Sequence, residues 1–262
     1  MRCGAIGYPV GMTLRIESFT FDAHDPMALA TWWSEALSWV ICFESPDGIE
    51  VNLCERLDPD GTHPFPELSF IGDGDPDGSQ ERIHLDLNSF STGDQQATVE
   101  RLLSIGATRT DVGQAPDAPF VVLADPEGNH FCVLDPRPEY AHLGAVASYT
   151  LAAHDASALR DLWATATGWS VTHDDPDHVV LTPPDGGPPL EIITRPTMPH
   201  DDRKDRIHLD VAPGDDDDQS EAVEQLIALG ARRIEIGQTG DESWVVLADP
   251  EGNELCVLSP RP

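Results

Sequence analysis

Two short strings in this 262-residue sequence carry residue types that do chemistry, and each occurs twice. Arg82-Ile83-His84-Leu85-Asp86-Leu87 returns as Arg206-Ile207-His208-Leu209-Asp210-Val211. The stretch 121–134, with Cys132 near its end, returns as 245–258, with Cys256, and both strings are displaced by 124 residues. In a strand, residues i and i+2 share a face. Asp86 therefore accompanies His84, Asp210 accompanies His208, His130 lies on the Cys132 side and Glu254 on the Cys256 side. A set such as His208, Glu254, Cys256 and Glu191, with one imidazole, one or two carboxylates and a thiolate, can hold zinc, whereas a nitrogen and oxygen set without the thiolate suits iron or manganese. The same residues also have an architectural reading, in which Asp orients the imidazole and the cysteines are small buried hydrophobes. Glu254 distinguishes the copies, because His130 stands at its position in the first.

The elements that must position these residues are written in the same repeat. Each copy of the longer string is an apolar run, then Asp-Pro-Glu-Gly-Asn, then a second apolar run. Pro presets φ, Gly accepts positive φ, and Asp and Asn bond nearby backbone, so the string predicts a hairpin. Upstream, the His24-Asp25, Trp33 and Trp39 signals are answered by His154-Asp155, Trp163 and Trp169 at a displacement of 130, which places a six-residue indel between Trp39 and Arg82. The chain reads as a tandem duplication of a domain of about 120 residues. Strands are predicted at 13–22, 40–44, 49–55, 67–71, 82–87 and 107–112, with the hairpin at 120–134. Helices are predicted at 27–39, behind Asp25-Pro26, and at 93–105, ending at Gly106. The second half repeats this order from Val146, giving four β-α-β-β-β units. The domains are 13–138 and 146–262, joined by an exposed linker over 139–145 and preceded by a disordered lead, 1–12. The tryptophans recur at helical spacing and pack against a sheet on the plainest reading.

Composition narrows the function classes. The net charge of -32, from 47 acidic and 15 basic residues, repels duplex nucleic acid. No apolar run approaches the ~18–20 residues that span a bilayer, so no membrane partner is expected and a soluble, cytoplasmic protein is. Five cysteines, with only Cys132 and Cys256 at equivalent positions, suggest reduced thiols rather than a disulfide framework. Asp215-Asp216-Asp217-Asp218 reads as a solvated loop that caps the following helix, with a calcium site as the alternative.

Paired β-α-β-β-β modules with a His-Leu-Asp-Leu strand and a closing Asp-Pro-Glu-Gly-Asn hairpin resemble the glyoxalase/bleomycin-resistance/extradiol-dioxygenase superfamily, the vicinal oxygen chelate (VOC) fold. The resemblance runs from residue 13 to 262 and is strongest to the glyoxalase-like domains of bacterial proteins. It implies an α+β fold in which two modules set their sheets side by side as an open, barrel-like cup, with two such VOC domains per chain. It also implies a divalent metal (zinc, iron, manganese or nickel) or an organic ligand in the cup. The family's first-strand ligand falls on His84 and His208. Its last-strand Glu falls on Cys132 and Cys256, a departure. The first modules offer Ser18 and Ser148, with Glu67 or Ser69 and Glu191 or Ile193 on the last strand. The displacement of 124 pairs Glu67 with Glu191.

With one cup expected in each half, the C-terminal set is His208, Glu254, Cys256 and Glu191. The N-terminal set is His84, His130, Cys132 and Glu67. The resemblance then implies chelation of a substrate's vicinal oxygens, the metal acting as a Lewis acid and Glu254 or Glu191 moving the proton, in lyase/isomerase or dioxygenase chemistry centred on the C-terminal half. True glyoxalase I activity accords poorly with a half-missing ligand set. The alternative is a drug- or metabolite-sequestering protein of the bleomycin-resistance type. In that reading Trp33, Trp39, Trp163, Trp169 and Trp244 stack on a cationic ligand. A third reading is an interaction module with inert cups. In each case the chain is an internal pseudo-dimer, and a monomer suffices.

Overall fold

The computed structural model of the chain describes residues 14–58, 66–78, 82–195 and 204–261. The lead at 1–12 and most of the polar loop before residue 66 lie outside the described residues. Four β-α-β-β-β units follow one another as the repeat implies. The first is β1 (Leu14–Asp22), α1 (Pro26–Leu37), β2 (Val40–Glu44), β3 (Glu50–Cys54) and β4 (Glu67–Ile71). The second is β5 (Ile83–Leu87), α2 (Thr92–Ser104), β6 (Thr108–Arg109), β7 (Val121–Ala124) and β8 (His130–Val133). The third is β9 (Val146–Ala153), α3 (Ala156–Thr167), β10 (Ser170–Asp175), β11 (His178–Thr182) and β12 (Leu190–Thr194). The fourth is β13 (Ile207–Pro213), α4 (Gln219–Ala228), β14 (Arg232–Arg233), β15 (Val245–Ala248) and β16 (Glu254–Val257).

Local chemistry sets the helix limits. Asp25 accepts from Ala28 N and Asp155 from Ala158 N, each one residue before its helix begins. Asp218, last of the acidic run, accepts from Ser220 N at 2.8 Å and Glu221 N at 3.0 Å, so the run ends in a helix cap. Gly168 closes α3 at φ 69°, where a Cβ would meet Leu14 O at 2.3 Å, so only glycine fits.

The strands form two eight-stranded mixed sheets, in the orders β14-β15-β16-β13-β1-β4-β3-β2 and β10-β11-β12-β9-β5-β8-β7-β6. Neither closes into a barrel. Each sheet joins one unit of the N-terminal half to one of the C-terminal half, through the antiparallel seams β1/β13 and β5/β9. This corrects the expectation that each half builds its own cup. The repeat could not reveal the partnering, because a displacement of 124 is the same whichever units meet. Units 1 and 4 make the first cup, and units 2 and 3 the second.

The apolar sheet faces and the helices share one core. Phe19 of β1 and Tyr149 of β9 meet with ring centroids 5.4 Å apart, which joins the two sheets. Of the tryptophans expected as stacking surfaces, all but Trp244 belong to this core. Trp33 and Trp163 are fully buried, Trp39 is buried, and Trp169 packs partly buried against it.

Much of the repeated sequence is accounted for here as joinery. The turn residue Asp125 accepts from the Trp33 indole at 3.0 Å, binding unit 2 to unit 1, and Asp249 does the same for Trp163 at 3.0 Å, binding unit 4 to unit 3. Glu127 accepts from the backbone of His24 and Asp25, and Glu251 from that of His154 and Asp155. Arg82 donates to Glu251 O at 2.8 Å and Arg206 to Glu127 O at 3.0 Å, which ties the halves across the molecule. No helix among the described residues is long and apolar enough to cross a membrane.

Candidate metal centre

Strand register brings three groups together in the first cup. Asp210 on β13 lies opposite Ser18 on β1 and beside Cys256 on β16, while His208 lies opposite Thr20. Ser18 Oγ and Thr20 Oγ1 donate to Asp210 Oδ2 at 3.1 and 2.9 Å. That pins one carboxylate oxygen and leaves Oδ1 3.2 Å from His208 Nε2. One ligand atom each from His208, Asp210 and Cys256 falls within 4.8 Å of the others. Burial alone would lower the His208 pKa, but the charges of Asp210 and Cys256 outweigh it and hold the imidazole well above its ordinary value. Burial works against Asp210 ionising too, yet His208 and the two hydroxyls hold its carboxyl below the usual range. The Cys256 thiol is pushed up by burial and by Asp210.

The second cup repeats the arrangement. His84 Nε2 lies 3.4 Å from Asp86 Oδ1, and Asp86 Oδ2 accepts from Ser148 Oγ at 3.2 Å and Thr150 Oγ1 at 2.7 Å. Cys132 completes a set within 4.8 Å. What covers it differs. The linker expected to be exposed instead turns inward through a 3-10 turn, Pro138–Tyr140, with Tyr140 6% and Leu143 9% exposed and both packed with Cys132. Buried Asn88 fixes this path by donating to Tyr140 O at 2.9 Å. The Tyr140 hydroxyl donates to Glu191, whose other oxygen lies 3.1 Å from His178 Nε2.

The first cup opens on a cavity of about 560 Å³, with His208, Asp210 and Cys256 in its wall. Glu50, Glu67 and Asp73 make it acidic, Lys204 and Arg261 partly offset them, and Trp244, 40% exposed, forms part of its apolar surface.

A family model described as "Glyoxalase-like domain" matches this sequence twice, over residues 18–134 and 148–258. The chain belongs to the glyoxalase-like domain family. Its fold is similar to that of glyoxalase I from Zea mays, at a TM-score of 0.62 and 14% identity over 95% of this chain and 93% of that one. It is similar also to a putative dioxygenase from Bacillus subtilis subsp. subtilis str. 168, at a TM-score of 0.59 and 13% identity over 95% and 86%. At such identities the likeness is one of fold. Among curated proteins, no sequence matches. Proteins of the VOC superfamily commonly use a divalent metal, and two candidate ligand groups lie among the described residues of this glyoxalase-like chain.

The donor set fits such an ion. Asp210 Oδ1 and Asp86 Oδ1 are buried atoms with no hydrogen-bond partner among the described residues. Each lies beside an imidazole nitrogen and a thiol, and one nitrogen, one oxygen and one sulfur within 4.8 Å of one another form a donor set of the kind zinc takes. Ser18 and Ser148, which fall at the family's first-strand ligand position, are groups that aim the aspartates.

The other predicted ligands of this glyoxalase-like chain are placed differently. Glu254 shares the Cys256 face but is drawn away, its Oε1 accepting from Asp205 N at 2.9 Å and its own N–H donating to Asp205 Oδ2 at 3.2 Å. His130 stands outside the second three-residue group. Glu191 belongs to the second cup, with His84, and not with His208. In the sheet, Glu191 pairs with Thr150 while Thr20 pairs with Ser69 and Ser18 with Glu67. The structural counterpart of Glu191 is therefore Ser69, and Glu67 is a carboxylate of the first cup alone.

Burial pushes the carboxyls of Glu254 and Asp205 each to about 6, their proximity adding to the effect on Glu254. A carboxyl with a raised native pKa contributes stability below its unfolded pKa, and that stability is lost as pH rises through the native one. Glu254→Gln keeps the acceptor without the charge. It is expected to raise the melting temperature at pH 7.5 and to lose that advantage below pH 4, with metal content unchanged. A melting curve series across this range checks the sign, and a variant that loses metal would restore Glu254 as a ligand.

Proposed function

We propose that the first cup is a metal-dependent site for a small organic molecule with vicinal oxygens, held for lyase/isomerase or dioxygenase chemistry. The observation that carries this reading is the meeting of His208, Asp210 and Cys256 in the wall of an acidic 560 Å³ cavity. These three residues would hold the metal, which when bound supplies Lewis-acid stabilisation of an oxyanion. Ser18 and Thr20 keep the Asp210 carboxylate oriented. Glu67 replaces Glu254 and Glu191 as the carboxylate placed to move a proton, and Trp244 supplies apolar surface for the substrate. Chemistry remains centred on His208, but the cup around it draws on both halves.

Elemental analysis of tag-free protein, stripped and reconstituted with zinc, manganese, iron or nickel, tests this. Near-stoichiometric metal that is lost in His208→Ala and kept in His84→Ala is the expected result. Metal that depends on His84 alone, or none in the reconstituted protein, refutes it. The same cavity favours one rival, sequestration of a cationic organic molecule against Trp244 without turnover. Saturable binding of such a compound by metal-free protein, undiminished in His208→Ala, would select that reading. The four described cysteines are free thiols, which suits the reducing cytoplasm proposed with either function. The internal pseudo-dimer is proposed to act as a monomer.

A further inference from the structure

Beside the first cup, and sharing Asp75, Lys204 and Ile236 with its cavity, a cleft of about 810 Å³ opens where the two halves meet. Its wall holds Arg82, Lys204, Arg232 and Arg233, four of the 15 basic residues of a chain whose net charge is -32. Four carboxylates also line it, Asp75, Glu235, Glu251 and Glu254, and the last two are engaged elsewhere. Glu251 accepts from the backbone of His154 and Asp155, and Glu254 from that of Asp205. Two of the cations are also engaged, Lys204 by Asp22 and Arg233 by Glu224 at 3.6 Å.

Arg82 is engaged through one nitrogen only, its Nη1 donating to Glu251 O at 2.8 Å and Asn253 Oδ1 at 3.5 Å, and Arg232 differs from all three. Arg82 is 7% exposed, and its Nε has no hydrogen-bond partner among the described residues. Arg232, on the short edge strand β14, makes no ion pair or side-chain hydrogen bond among the described residues. Both guanidinium groups converge on Gly252, where an added Cβ would lie 3.2 Å from Arg82 Nη1 and 3.7 Å from Arg232 Nη2. Two like charges held over one glycine repel each other, and a buried guanidinium N–H without an acceptor is costly. An oxyanion between them offsets the repulsion, and the guanidinium fork matches phosphate and carboxylate geometry. The fold does not impose the pair. At the position 124 residues before Arg232, the other half carries Thr108.

We propose that this cleft is an oxyanion site, in which a phosphate or carboxylate group is clasped between Arg82 and Arg232 over the Gly252 backbone. It stands independently of the metal reading. The oxyanion is either free or the anionic arm of a molecule whose body lies in the first cup.

Calorimetric titration of inorganic phosphate into chelator-treated full-length protein at low ionic strength tests the site. Saturable binding near one per chain is expected, weakened at least about tenfold in Arg232→Ser and within about twofold of wild type in Arg233→Ser. Phosphate is expected to raise the melting temperature of wild type and not that of Arg232→Ser. Both arginines are exposed on a two-residue strand, so the folded state survives either change. Phenyl phosphate binding more tightly than phosphate, with quenching of Trp244, assigns the group to an organic ligand reaching the cup, and equal affinity assigns it to the free ion. Absence of saturable binding, or binding indifferent to Arg232→Ser, overturns the proposal.

Discussion

Asp249→Ala is expected to destabilise the protein by on the order of 4 kcal/mol, enough to move the urea midpoint by more than a molar unit. The expectation rests on how many donors one carboxylate answers. Asp249 is 0% exposed. Its Oδ1 accepts from Glu251 N at 2.8 Å and Asn253 N at 3.0 Å, and its Oδ2 from Asn253 Nδ2 at 2.6 Å and Trp163 Nε1 at 3.0 Å. Alanine strands all four, and each buried donor without a partner costs about 1–3 kcal/mol. It also frees the indole that joins unit 3 to unit 4. Asp249→Asn keeps one acceptor oxygen and is expected to lose about half as much. Equal denaturation midpoints for wild type and Asp249→Ala would show that the turn does not bind the units together.

Cys256→Asp is expected to weaken zinc at least about 100-fold while improving manganese relative to zinc. The substitution is close to volume-neutral and puts a hard oxygen where the family resemblance expects a carboxylate and this chain has sulfur. Competition titration with a chromophoric chelator reads both affinities. Proton release adds a second measure. In wild type the Cys256 thiol and the His208 imidazolium, both raised above their ordinary values, must each lose a proton when metal binds, whereas Asp210 is already ionised. Zinc affinity should therefore rise by about two decades per pH unit in wild type near neutrality and by about one in Cys256→Asp. Identical slopes would remove the thiol from the ligand set.

The repeat arithmetic made the architecture legible, because each unit carries its own cap, helix and turn, and those signals act within a few residues. Partnering between units was illegible for the opposite reason, since seams such as β1/β13 depend on contacts almost two hundred residues apart. At the site, His84, His208, Cys132 and Cys256 were visible by type and register. Glu254 drew attention as an unmatched acid on the correct face, yet face alone does not give reach, and the backbone of Asp205 claims its carboxylate. The aspartates beside the histidines were seen only as orienting partners. Their ligand-like placement emerges once Ser18 and Thr20, or Ser148 and Thr150, are known to hold the opposite oxygen. Glu67 and Glu191 were paired by a constant displacement that fails by two residues across the loops between them.

Each sheet's seam joins an N-terminal unit to a C-terminal one, so two identical half-length chains facing each other would make the same molecule, with both cups necessarily alike. Covalent fusion lifts that symmetry. Ser69 against Glu191, Thr108 against Arg232 and His130 against Glu254 are differences a homodimer could not sustain at one end only. Nor do they fall at random, for one cup has kept an open acidic chamber while the other has drawn the connecting segment over itself. A single polypeptide can thus keep one of two inherited pockets open while the other is filled from its own chain, and selection can act on each without altering its twin.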